Sequence, residues 1–167
     1  MKRARTEEQA SEQDAFKLEE FLPFQLSHVA NRVSRLFAKR YADIFGVTVP
    51  EWRVIAVVGR FEAISPSRVS EHTGMDKVKV SRAAGALTAR GLLRQTADPV
   101  DGRARVLRMT RKGERVYAGI VPLAQKIEGE LQTGFSRTEW TLLRRALTKL
   151  NVKLNDLSNA EVEADRD

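Results

Sequence analysis

Apolar residues recur at helical spacing through LPFQLSHVANRVSRLFAKRYADIF, where Leu26, Val29, Val33, Leu36 and Phe37 share one stripe. Pro23 suits a first turn and Gly46 a stop, so the pattern predicts a long helix over about 23–45. In TVPEWRVIAVVGRF, Thr48 and Glu51 form a capping box and Pro50 sits in the first turn, which predicts a second helix to about Arg60. Ser65 and Pro66 repeat the start signal for a short third helix that the Gly74 turn ends. Asp76 caps a fourth helix through Arg90, with Gly91 as its stop. The pattern then changes to short β-like runs, 92–97 and 103–109, around a DPVDG tip, which predicts a hairpin. Thr110 caps a fifth helix carrying Val116, Ile120, Leu123, Ile127 and Leu131, with Pro122 inside it. A last helix opens on a second capping box, Ser136 with Glu139, and continues as Trp140, Leu143, Leu147, Leu150, Leu154 and Leu157. That spacing alternates three and four residues and calls for a helical partner within the chain or in a second copy of it.

At 167 residues with 42% hydrophobic residues, the chain is long enough to bury a core as one domain, or as one domain with an added oligomerisation element. The longest aliphatic run, Val54–Val58, is far too short to span a bilayer, so no membrane partner is expected. The opening MKRARTEEQASEQD lacks the apolar core of a signal peptide, and 1–15 reads as a disordered arm, as does 159–167 as an acidic tail. With no cysteine there is no disulfide framework or thiol nucleophile, which fits a cytoplasmic protein.

Charge changes this picture. Between Ile64 and Arg115 stand twelve Lys or Arg against five Asp or Glu, while the rest of the chain holds seventeen of each, so the whole net charge of +7 sits in the central third. Such a localised basic field is the electrostatic footprint expected of a nucleic-acid binder, although an anionic membrane surface or an acidic protein would also attract it. Enzyme chemistry lacks its parts. His28 and His72 are the only histidines, and no HExxH, nucleophile elbow or glycine-rich phosphate loop occurs. No metal or other cofactor is expected, because two distant histidines without cysteine offer few ligands.

The order helix, turn, helix, basic hairpin is that of a helix-turn-helix with a β wing, in which the second helix enters a major groove of double-stranded DNA. At 100° per residue Val80, Ala83, Ala84 and Leu87 share the inner face of the fourth helix. The outer face then holds Val78, Ser81, Arg82, Gly85 and Ala89, flanked by Lys77 and Lys79. Arg82 can fork onto guanine, Ser81 can meet a base or phosphate, and Val78 can touch a thymine methyl. Ser67 on the third helix and Arg94 and Arg105 on the hairpin complete the candidate DNA contacts read from position and charge. A solvated basic surface, an effector-independent architectural DNA binder and a basic protein-interaction module are the competing readings.

The stretch SPSRVSEHTGMDKVKVSRAAGALTARGLLRQTADPVDGRARVLRMTRKGERV resembles the winged-helix core of the MarR family of bacterial transcriptional regulators. The shared features are Gly at the turn, the Ser81–Arg82 step, Gly91–Leu92 leading into the wing, D-P-x-D-x-R at its tip and L-x-x-T-x-x-G at its exit. The resemblance covers about residues 20–157. It implies a mainly α fold, a winged helix-turn-helix with flanking dimerisation helices in the order α1-α2-α3-α4-β-wing-β-α5-α6. The DNA-binding part is then 48–109, and 16–47 with 110–158 form a helical dimerisation region. A homodimer on an inverted-repeat operator, acting as a repressor, is the implied mode. The resemblance also implies that Asp101 and Arg103 pair in the wing and that the arginine enters the minor groove. Gly102 stands between them where the family usually has a basic residue.

Members of the family hold an effector between the dimer helices and the winged helix. His28, Arg32, Arg35 and Lys39 follow i, i+4, i+7, i+11 and form a cationic stripe, either a solvated face or an anion clamp. FLPFQLSHVANRVS and FGVTVPEWRV further resemble a branch associated with aromatic-acid degradation, whose effectors include aromatic carboxylates and their coenzyme A thioesters. Candidate ligand residues are therefore Phe24, His28, Arg32, Arg35, Trp52 and Arg53, for a small anionic aromatic effector.

Overall fold

A computed structural model of the chain describes residues 16–98, 102 and 104–164, the side chain of Val162 excepted. A short 3-10 turn, Leu18–Glu20, precedes six helices and one hairpin among these residues. They are α1 Leu22–Phe45, α2 Val49–Arg60, α3 Pro66–Thr73, α4 Lys77–Ala89, β1 Leu93–Ala97, β2 Arg105–Met109, α5 Arg111–Gln132 and α6 Arg137–Ala164. The helix starts follow local chemistry. Thr48 Oγ1 accepts from the Glu51 amide at 3.4 Å while the Thr48 amide donates to Glu51 Oε2 at 3.1 Å. Ser136 and Glu139 repeat the exchange at 3.2 and 2.8 Å, which holds the Glu139 carboxyl below its usual pKa. Gly46 and Gly74 end α1 and α3 at φ 60° and 64°, in the left-handed region where a Cβ is disfavoured.

Packing divides the described residues into one unit ending at Tyr117 and another beginning at Ala118, the boundary falling inside α5. The first has its core on the inner faces of α2, α3 and α4, where Val54, Ile55, Val58, Val69, Val80, Ala84 and Leu87 are buried. The hairpin closes it with Leu93, Val106 and Leu107, and Ile64 joins β2 through a pair of backbone hydrogen bonds with Leu107, 2.8 and 3.2 Å. Tyr41 at the end of α1 is fully buried, its ring 5.5 Å from Phe37 and 5.4 Å from Trp52 of α2. Thus α1 groups by contact with the winged helix in the first unit. The Tyr41 hydroxyl has no hydrogen-bond partner among the described residues, and burial pushes its pKa up to about 12.

In the second unit α5 continues through Pro122 to Gln132, with Ile120 and Ile127 buried. Along α6 the seam stands open. Leu143, Leu147, Leu154 and Leu157 are 39–52% exposed. The helix also continues over 159–164, a stretch expected to be disordered, and this departs from the sequence reading. The reason is local: AEVEA supplies strong helix formers, and extending an existing helix needs no new nucleus. The expected arm over 1–15 and residues 165–167 lie outside the described residues.

Candidate nucleic-acid interface

The recognition elements are assembled by side chains bonding to backbone. Ser65 Oγ accepts from the Arg68 amide at 3.4 Å to start α3, and the Gly74 amide closes α3 on Ser70 O at 2.9 Å. Asp76 Oδ1 accepts from the Lys79 amide at 2.7 Å, and its other oxygen lies 3.1 Å from Lys79 Nζ. Those hydrogen bonds, with the lysine charge, hold the Asp76 carboxyl below its usual pKa. The N-terminus of α4 is thereby fixed relative to the turn. Its inner face is the one the periodicity gives, with Val80, Ala83, Ala84 and Leu87 buried. Lys77, Val78, Lys79, Ser81, Arg82 and Gly85 are exposed, Val78 by 59%. No side-chain hydrogen bond within the chain ties down Ser81 or Arg82 among the described residues, so both are free to meet a ligand. A Cβ added at Gly85 would meet nothing within 4 Å, so the small residue leaves the outer surface of α4 low.

The hairpin is antiparallel, with Leu93 opposite Met109, Arg94 opposite Arg108, Gln95 opposite Leu107, Thr96 opposite Val106 and Ala97 opposite Arg105. One further bond, the Asp98 amide to Ala104 O at 2.9 Å, carries the ladder toward the tip. Arg105 and Arg94 are exposed, and so is Ser67 on α3. The expected pair of Asp101 and Arg103 lies outside the described residues.

The hairpin's two ends close on one point. Gly91 turns the chain out of α4 at φ 67°. Thr110 Oγ1 then donates to Gly91 O at 2.7 Å and lies 3.1 Å from Leu92 O, while accepting from the Gly113 amide at 3.1 Å. A Cβ on Gly113 would be driven onto the Leu92 carbonyl. The T-x-x-G at the wing exit is therefore a packing requirement. Lys112 Nζ adds a bond to Arg90 O at 3.0 Å, at the carbonyl end of α4.

Arg90 is a residue that sequence reasoning missed. Its guanidinium donates to Gly46 O at 2.9 Å, Phe45 O at 3.1 Å and Glu51 Oε2 at 3.1 Å. One side chain thus ties the end of α4 to the end of α1 and the start of α2. Glu51 is nearly buried, and its carboxylate serves as helix cap and as ion-pair partner together.

Residues 45–104 match the family model described as MarR family. Over these residues the chain is similar to the MarR family. The transcriptional regulator HosA of Escherichia coli O111:H- is 24% identical over 104 residues, 62% of this chain and 77% of HosA. A MarR/EmrR family transcriptional regulator from Acinetobacter sp. ADP1 shares the fold at a TM-score of 0.78 and 25% identity, over 84% of this chain and 99% of that one. CouR from Rhodococcus jostii RHA1, solved bound to p-coumaroyl-CoA, matches at a TM-score of 0.72 and 23% identity over 81% and 95% of the two chains. The chain is thus similar to transcriptional regulators in sequence and shares the winged-helix fold of the solved ones. No helix among its described residues is long and apolar enough to cross a membrane.

The six candidate ligand residues do not fall together. Trp52 and Arg53 line a cavity of about 170 Å³ between α1 and α2 with Val33, Ser34, Phe37 and Val49. Arg53 reaches Ser34 Oγ at 3.5 Å. Phe24 and His28 instead stack on each other along α1, ring centres 5.7 Å apart. Arg32 and Arg35 are exposed and do not line the cavity. Periodicity placed the stripe on one face of α1, but the groove is chosen by where α2 crosses it.

Proposed function

We propose that the protein is a homodimeric repressor that reads an inverted-repeat operator with α4 and is released by a small anionic aromatic ligand. The observation that carries the DNA-reading part is α4 itself. Its apolar face is buried, while Val78, Ser81 and Arg82, flanked by Lys77 and Lys79, are left exposed beside a basic hairpin. The exposed seam on α6 supports a homodimer, since contiguous apolar surface of this kind marks an interface. Two recognition helices then meet successive major grooves with half-site centres roughly 34 Å apart.

The α1–α2 cavity supports the ligand class. Trp52 and Phe37 supply aromatic walls and Arg53 a fork for a carboxylate. At about 170 Å³ it has room for one benzoate-like ring, so a coenzyme A moiety would lie outside it. CouR, with its bound p-coumaroyl-CoA, is a fold relative that takes an aromatic acyl thioester. A ligand releases DNA only if it binds the two forms unequally, and operator DNA must then weaken ligand binding by the same factor.

Fluorescence anisotropy on a selected operator tests the reading. Arg82→Ala is expected to weaken cognate binding by about 1 to 3 kcal/mol and relax preference at one base pair. Titration with 4-hydroxybenzoate and p-coumaroyl-CoA is expected to release DNA, and Trp52→Ala or Arg53→Gln to blunt that release with ligand-free affinity intact. Unchanged affinity and preference in Arg82→Ala would remove α4 from its role. Binding indifferent to both ligands would favour an effector-independent architectural protein.

A further inference from the structure

A second cavity, of about 410 Å³, opens between the end of α2, the base of the hairpin and the first turns of α5. It is separate from the α1–α2 groove and shares no lining residue with it. Its lining includes three arginines, Arg60, Arg94 and Arg108. Arg94 and Arg108 are direct cross-strand partners, an arrangement in which like charges destabilise a sheet. Among the described residues no acid forms an ion pair with any of the three. Among the described residues Arg108 donates to Glu62 O at 3.2 Å, and Arg60 rests 5.7 Å from the centre of the Phe61 ring. The three arginines therefore have no ion-paired partner among the described residues, and they outnumber the two carboxylates of the same lining, Glu62 and Glu114, which leaves an excess of positive charge suited to an external anion.

We propose that this cavity binds a small phosphate monoester, whose dianionic head is held by Arg60, Arg94 and Arg108. Planar guanidinium forks bond phosphate oxygens in pairs, and three of them match a doubly charged head better than a single carboxylate. The remaining lining fixes the rest of the ligand. Phe61 and Tyr117 offer ring surface, and Glu62 and Glu114 offer carboxylate acceptors for hydroxyl or amino groups. Two carboxylates on the wall oppose a continuous polyanion, which favours a compact ester over a DNA backbone. The volume falls in the range of small-molecule sites. Gly59 makes part of this wall possible. A Cβ there would stand 2.8 Å from Tyr117 Cε2, so the glycine admits the ring. Arg94, which charge alone assigned to DNA, faces this cavity.

The test is a thermal-shift and calorimetric comparison on the full chain. The probes are adenosine 5′-monophosphate, glucose 6-phosphate and pyridoxal 5′-phosphate, against adenosine, glucose, pyridoxal and inorganic phosphate. At least one monoester is expected to raise Tm saturably and bind at least roughly tenfold tighter than its dephosphorylated counterpart and than inorganic phosphate. Arg60→Gln, at an exposed position that leaves the core intact, is expected to weaken that ester about tenfold, and Arg60→Lys to restore part of the loss. Arg108→Gln supplies a second variant, read only where its unfolding stays cooperative. The proposal is overturned if no monoester binds, if esters bind no tighter than inorganic phosphate, or if Arg60→Gln binds like the wild type. It is equally overturned if Arg60→Gln lowers the salt dependence of DNA binding while no ester binds, since the arginines would then be phosphate contacts of the DNA interface.

Discussion

Arg90→Ala removes the one side chain that joins three helix ends. Its guanidinium makes bonds of 2.9, 3.1 and 3.1 Å to Gly46 O, Phe45 O and Glu51 Oε2. Each such charge-assisted bond contributes on the order of 1.5 to 3 kcal/mol when well buried. The Arg90 side chain is 38% exposed, so water replaces part of what is lost, whereas Glu51 is only 12% exposed and is left without its cation. The net destabilisation is therefore about 2 to 3 kcal/mol, well below the sum of three isolated bonds. For a chain of this length that corresponds to a fall in Tm of roughly 5 to 10 °C. Differential scanning calorimetry reads it directly, and a double-mutant cycle with Glu51→Gln is expected to show a coupling of about 1 kcal/mol. Arg90→Lys is expected to recover less than half of the loss, because a single ammonium cannot span three acceptors on two sides. A Tm change in Arg90→Ala below about 1 °C, or additivity with Glu51→Gln, would refute the clamp.

Four other outcomes follow from single positions. Gly113→Ala places a methyl group on the Leu92 carbonyl, which cannot rotate away, and is expected to lower the urea midpoint by the equivalent of about 3 kcal/mol. Gly85→Ala, in open space on a helix, is expected to raise it by about 0.5 to 1 kcal/mol; the reverse order would refute the steric account. The Tyr41 hydroxyl has its pKa raised to about 12, so the folded state holds this proton more tightly than the unfolded one. Its contribution is complete below pH 10 and is lost as pH rises from 10 to 12; Tyr41→Phe is expected to show a smaller decline over that window in pH-dependent denaturation. Asp76 has the opposite sign, its folded pKa being depressed, so its capping is present at neutral pH and fails as pH falls through the acid range. Amide exchange at the start of α4 is expected to accelerate there relative to α2, and Asp76→Asn to abolish the pH dependence while leaving the cap bond.

Helix starts were the most legible part of the chain, because a capping side chain and the amide that donates to it lie within three residues. Thr48–Glu51, Ser65, Asp76 and Ser136–Glu139 each appear as read. The two faces of α4 were legible for the same reason, since 3.6-residue periodicity is a local property. What escaped was every contact between distant segments. Arg90 finds partners 39, 44 and 45 residues away, with nothing in its neighbourhood to announce them. Glu51 was recognised as a cap, and that reading hid its second use. The candidate ligand residues divide along the same line. Trp52 and Arg53 stand together on a helix that crosses α1, whereas the stripe His28, Arg32, Arg35 obeys a period without meeting a neighbour's groove. The pairing of Arg94 with Arg108 was within reach of a register argument, had the strands been aligned from the tip outward.

The knot at Gly91, Leu92, Thr110 and Gly113 gives the hairpin a particular freedom. The chain leaves and returns at almost the same place, with both ends fixed by bonds that owe nothing to the intervening tip. Closing a loop whose anchors are already set depends only weakly on its length, about 0.6 kcal/mol for each doubling. Residues between Ala97 and Arg105 can therefore be added, removed or exchanged while the helices beneath keep their positions. The hairpin is in this sense a replaceable cartridge, and selection can rewrite its length and chemistry without renegotiating the core.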